Sequence, residues 1–149
     1  MAVLLKSAFS RRLSVDDVFK TAEAQREKGD LQGAVKSYHE CLLIDPHFIS
    51  AVLNMGNIYR MMGQKEEAAR LYHRALAIDS NCATALNNIG TYYQERLDIQ
   101  KAVGHFKRAV EADPKLYEPR NNLGNALAMQ KRYEEALEEY RAALEAKPG

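Results

Sequence analysis

At 149 residues, 46% hydrophobic and 28% charged, the chain has the size and composition of one folded domain and is neither disordered nor membrane-spanning. No apolar run approaches the roughly 20 residues that a bilayer span needs. With 21 Lys and Arg against 20 Asp and Glu, the net charge of +1 gives no electrostatic footprint for nucleic acid, and neither nucleic acid nor membrane is expected as a partner.

The chain opens on MAVLLKSAFSRRLS, residues 1–14, which carry Lys6, Arg11 and Arg12, no acidic side chain, and apolar Val3, Leu4, Leu5, Phe9 and Leu13. Two readings fit: a short amphipathic segment capping the helical array, or an organellar transit peptide. The first goes with a cytoplasmic protein, the second with an organellar one. Cys41 and Cys82 lie far apart with no metal-ligand spacing, which points to a reducing compartment rather than a disulfide scaffold.

From residue 15 onward the chain repeats itself. In 15–48, Gly29-Asp30 supplies turn chemistry between two helical segments, and Asp45-Pro46 ends the second, because a residue before proline disfavours the α region. In 49–82, Val52, Met55, Gly56 and Tyr59 fall at i, i+3, i+4 and i+7, one face of a helix. After the turn at Gly63, Ala68, Leu71, Tyr72, Ala75 and Leu76 form a second such face, and Ser80 stands where the proline is due. Segment 83–116 repeats the scheme to Asp113-Pro114, and 117–149 repeats it to Pro148. Ala34, Ala68, Ala102 and Ala136 are each 34 residues apart, as are Tyr38, Tyr72, Phe106 and Tyr140, and Cys41, Ala75, Ala109 and Ala143. Met55-Gly56, Ile89-Gly90 and Leu123-Gly124 keep the same step, with Thr21-Ala22 as a degenerate first member. A single helix pair cannot bury its apolar face; stacked neighbours do.

These series resemble the tetratricopeptide repeat, whose 34-residue pattern is an apolar residue, Leu-Gly, Tyr, then Ala, an aromatic and Pro. The resemblance implies an all-α fold: a right-handed α-solenoid of four helix–turn–helix repeats (15–48, 49–82, 83–116 and 117–149) after the short N-terminal segment. Departures are Arg120 at a large apolar position, Ser80 for proline, and Leu97 and Lys131 where Gly29 and Gly63 make the turn.

The resemblance also implies that the first helices line a concave groove that holds another polypeptide. Asn54, Asn88 and Asn122 occupy one groove position in successive repeats. Asn is a poor mid-helix residue, so three in register ask for a reason. A side-chain amide both donates and accepts, matching the N–H and C=O of an extended peptide. The arrangement resembles the asparagine ladder of O-linked N-acetylglucosamine transferase and importin-α. On that likeness Asn54, Asn88 and Asn122 grip a peptide backbone and Asn57 and Asn125 assist. Alternatively, the repeated amides hydrogen-bond neighbouring helices. Because each net hydrogen bond contributes about 0.5–1.5 kcal/mol, a ladder alone binds without regard to sequence. Selectivity would come from Phe19 and Leu53 as apolar contacts and from Lys20 and Arg60 as charges. Phe19 and Glu23, then Thr84 and Asn88, stand where a chaperone-tail clamp would need Lys and Asn, then Lys and Arg, so that ligand is not expected.

The function expected is a protein- or peptide-binding scaffold or adaptor, not an enzyme, with no cofactor and no metal. The alternatives are a substrate-recruiting piece of a larger enzyme, such as a glycosyltransferase, and a self-assembling structural unit. His39 and His73, 34 apart, lack a third ligand. Terminal repeats normally need a polar cap. The last helix, with Leu137, Tyr140 and Leu144, and the N-terminal segment are therefore the expected self-association surfaces.

Overall fold

The computed structural model describes residues 13–147; residues 1–12, most of the expected N-terminal segment, lie outside it, as do 148–149 with Pro148. The described residues form eight helices and no strand: α1 (Val15–Glu27), α2 (Leu31–Ile44), α3 (Ile49–Met61), α4 (Lys65–Ile78), α5 (Ala83–Glu95), α6 (Ile99–Ala112), α7 (Tyr117–Met129) and α8 (Tyr133–Ala146). Odd-numbered helices begin every 34 residues, and so do even-numbered ones. None is long and apolar enough to cross a membrane.

Local chemistry sets the ends. Ser14 and Asp17 make a reciprocal capping box at α1, satisfying N–H groups that have no partner inside the helix. Asp30 and Asp98 cap α2 and α6 through Gly33 and Lys101 N–H. Past the second helices, Asp45, Asp79 and Asp113 each accept from the N–H two residues on, that of His47, Asn81 and Lys115, at 3.0, 3.0 and 3.1 Å. Asp79 keeps this turn without the proline, which is why Ser80 is tolerated.

Contacts divide the chain into two compact units, one up to Ala51 and one from Val52. In the first, α1 packs on α2 around Val18, Ala22, Ala34, Tyr38, Cys41 and Leu42, all buried. Phe19 adds a tilted contact with Tyr38 and an edge contact with Phe48, with centroids 5.8 and 5.1 Å apart. In the second unit α4 to α8 pack successively, and α5 also touches α7.

Within this second unit, each hairpin closes in the same way. The rings of Tyr72, Phe106 and Tyr140 on α4, α6 and α8 lie across Gly56, Gly90 and Gly124 on α3, α5 and α7. A Cβ at those glycines would sit 2.8, 2.5 and 2.6 Å from a ring carbon. Arg120, at a position expected to be apolar, is half-buried and reaches Glu139 at 3.2 Å and the Pro114 carbonyl at 3.3 Å.

Each of the four turns within a repeat places one residue in the left-handed region: Gly29 at φ 81°, Gly63 at 77°, and Leu97 and Lys131 both at 62°. The loss of glycine in the last two repeats leaves the backbone where it was, at a steric cost of about 1–2 kcal/mol per residue.

Two stability experiments test this packing. Gly90→Ala should lower the unfolding free energy measured in denaturant by about 1–2 kcal/mol, because overpacking outweighs the helix propensity gained. Gly104→Ala, on α6 with nothing within 4 Å of the new methyl, should gain about 1 kcal/mol. Equal effects would show that ring contact does not decide the glycine. Leu97→Gly and Lys131→Gly should each stabilise by about 0.5–1 kcal/mol, the strain relieved less the added freedom of the unfolded chain. Leu97 is 77% exposed, so little burial is lost; an unchanged midpoint would show the turns are unstrained.

Candidate functional site

The second unit brings together residues from the first helices of three repeats. Asn54 and Asn57 come from α3, Asn87 and Asn88 from α5, and Asn122 and Asn125 from α7. Asn54, Asn57, Asn88 and Asn122 are half-buried, Asn125 is exposed, and Asn87 is buried.

Much of their hydrogen-bonding capacity is spent within the protein. Tyr72 Oη donates to Asn57 Oδ1 at 2.8 Å, and Tyr140 Oη to Asn125 Oδ1 at 2.7 Å. The first repeat places Tyr38 Oη on Glu23 Oε1 at the same two repeat positions. The third repeat breaks the series on both sides at once: Phe106 has no hydroxyl, and Thr91, in the acceptor's place, turns its own hydroxyl to the Asn87 carbonyl at 3.1 Å. The ring that covers the glycine thus carries a hydroxyl where the partner helix offers an acceptor, and lacks one where it does not. Buried hydroxyls need such partners.

A second layer joins the first helices to one another. Asn88 Nδ2 donates to Asn57 Oδ1 at 3.3 Å, and Asn122 Nδ2 donates to Asn87 Oδ1 at 2.9 Å. Asn88 and Asn122 are therefore oriented by the preceding first helix through their amide nitrogens. Their Oδ1 atoms make no hydrogen bond among the described residues.

Beside Asn88 a cleft opens between α3, α4 and α5, lined by Arg60, Lys65, Tyr72, Thr91, Tyr92 and Glu95. Lys65 Nζ and Glu95 Oε2 form an ion pair at 2.7 Å across it. Burial pushes the Tyr72 phenol up, opposed by the Arg60 guanidinium beside it. Tyr92 also receives the Arg96 guanidinium over its ring at 5.4 Å. Tyr92 escapes a reading of the sequence because its counterparts, Ile58 and Ala126, are buried core residues. The role of Asn87, as acceptor for Asn122, exists only once α5 and α7 are packed.

Other expected residues lie apart from this cluster. Leu53 is half-buried on α3, in the same unit. Phe19 and Lys20 belong to the first unit, where Phe19 is half-buried against Tyr38 and Phe48 and Lys20 is exposed.

Among the described residues no three His, Cys, Asp or Glu side chains are placed to hold a metal ion. Burial lowers the His73 pKa, and nearby His105, whose ring stacks on Tyr93 at 5.3 Å, lowers it further. Both cysteines are free, and burial raises the Cys41 thiol.

Family models of the tetratricopeptide repeat match residues 18–47, 48–115 and 87–149. The chain belongs to the tetratricopeptide repeat family. Its all-α helix–turn–helix array has the fold of solved MamA structures. One MamA crystal structure superposes with a TM-score of 0.78 at 21% identity, covering 97% of this chain and 83% of that one. The MamA RS-1 ArsTM double mutant gives 0.75 at 20% identity over 91% and 76%. MamA 41-end from Desulfovibrio magneticus RS-1 gives 0.73 at 20% identity over 89% and 75%. No curated protein sequence matches the chain. Membership in this family makes the chain a protein-interaction scaffold in the general sense.

The bond between Asn87 and Asn122 is open to a double-mutant cycle. Asn87→Ala and Asn122→Ala, singly and together, should return a coupling of about 0.5–1.5 kcal/mol in denaturant unfolding. Additive losses would show that water satisfies both amides equally well.

Proposed function

We propose that the chain is a binding scaffold or adaptor that holds an extended peptide along the α3, α5 and α7 face. The observation that carries this reading is the state of Asn88 and Asn122. Each amide is fixed through its nitrogen by a neighbouring first helix and leaves an oxygen without a hydrogen bond among the described residues. An acceptor held in advance loses less rotamer freedom on meeting a backbone N–H than a free side chain does.

Asn54 is the third member by register. Asn57 and Asn125 act one step back, holding tyrosines in place and, through Asn57, holding Asn88. Arg60 and the Lys65–Glu95 pair offer charge at the adjoining cleft, and Tyr92 and Leu53 offer apolar surface. These groups would separate one peptide from another, since backbone contacts alone do not. A cytoplasmic setting accords with the two free thiols.

The test is selection of peptides from a random displayed library on the full chain, followed by affinity measurement on Asn54→Ala/Asn88→Ala/Asn122→Ala. With each hydrogen bond contributing about 0.5–1.5 kcal/mol, the triple variant should weaken binding at least about tenfold for unrelated peptides alike. Equal affinity in a variant that unfolds normally would remove the ladder from the binding site.

A further inference from the structure

Arg60 differs from its counterpart in the first repeat by what stands three residues before it. At these two positions the successive repeats hold Glu23 and Arg26, Asn57 and Arg60, Thr91 and Gln94, and Asn125 and Ala128. In the first repeat the Tyr38 hydroxyl rests on the Glu23 carboxylate, which also takes the Arg26 guanidinium at 2.7 Å. In the third and fourth repeats both positions are neutral. The second repeat keeps the arginine and loses the carboxylate. Asn57 still accepts from Tyr72 and from Asn88, but an amide cannot neutralise a guanidinium.

The surroundings do not make up the loss. Arg60 is exposed where it lines the cleft between α3, α4 and α5, beside the Tyr72 hydroxyl. The other charges there are matched: Lys65 with Glu95 at 2.7 Å, and Arg96, over the Tyr92 ring, with Glu66 at 3.3 Å. Arg60 forms no ion pair among the described residues, so it sets the net charge of the cleft. A guanidinium carries five N–H donors in a planar fork that fits a carboxylate. Asn88 lines the same cleft, and its Oδ1 makes no hydrogen bond among the described residues.

We infer that this cleft selects peptides bearing an Asp or Glu side chain, whose carboxylate meets Arg60 while the peptide backbone passes Asn88. The incoming carboxylate does for Arg60 what Glu23 does for Arg26. The inference rests on the peptide-binding reading above and adds to it a side-chain preference that backbone contacts alone cannot give.

Two random peptide libraries of equal length, one lacking Asp and Glu, are selected on the full chain, and the selected sequences are made as synthetic peptides. Display without a free C-terminus, and amidated synthetic peptides, ensure that only a side-chain carboxylate is read. The complete library should yield peptides with an Asp or Glu at one fixed position. Replacing that residue by Asn or Gln should weaken binding about tenfold, and by less at high salt. On Arg60→Gln the acidic peptide should bind no better than its Asn or Gln counterpart. Asn57→Glu, which restores the internal pairing of the first repeat, should abolish the preference with Arg60 still present. Peptides that bind and weaken on Asn54→Ala/Asn88→Ala/Asn122→Ala, yet show no acidic preference, overturn the inference and leave the ladder standing. A preference that survives Arg60→Gln or Asn57→Glu overturns it too. A chain that selects no peptide from either library overturns both readings. Denaturant unfolding confirms that each variant folds.

Discussion

Each hairpin of the second unit depends on an aromatic ring packed against a glycine of the facing helix. Removing the Cβ lets the helices approach until the ring fills the gap, and the burial of a large apolar surface drives the closure. At Gly56, Gly90 and Gly124 a methyl group would enter the ring. The same close approach brings the ring's far end to the next polar residue of the first helix. Tyrosine therefore requires an acceptor there, and Asn57 and Asn125 supply it. Where phenylalanine replaces tyrosine, Thr91 suffices. Glycine, ring and acceptor thus vary as a set.

This constraint explains why polar residues line the first helices without making the fold expensive. An amide in a helix interior is a poor helix former, and a half-buried one loses part of its hydration. Here the deficit is offset by hydrogen bonds to a tyrosine and to the neighbouring amide. The face that remains is polar, ordered and only partly satisfied, a combination that suits recognition of another backbone. One set of residues thereby holds the repeats together and leaves the Asn88 and Asn122 Oδ1 atoms without a hydrogen bond among the described residues.

The two kinds of helix face differ in what they lack. On the first-helix face single acceptors remain, each needing one donor. On α8 an apolar stripe of Tyr133, Leu137 and Leu144 is exposed. A repeat array produces such a stripe because every second helix is built to receive a successor, and its residues stay apolar in register whether or not one is present.

A sequence with series at a 34-residue step suffices to locate eight helices, their turns and most of the core, because helix periodicity, glycine and proline act over a few residues. It also places Asn54, Asn88 and Asn122 at equivalent sites. What it leaves open is decided by distances between side chains about 15 to 35 residues apart. Whether Asn57 meets a peptide or the Tyr72 hydroxyl, and whether Asn122 meets Asn87, depends on how closely two helices approach and which rotamers survive there. The turns at Leu97 and Lys131 show the same division. The residue type at 97 and 131 speaks against a left-handed turn, yet both adopt φ 62° because the packed helices on either side leave the chain no other way round. Arg120 sits at an apolar position because Glu139 on the facing helix gives its charge a partner, a pairing that exists only once α7 and α8 are packed.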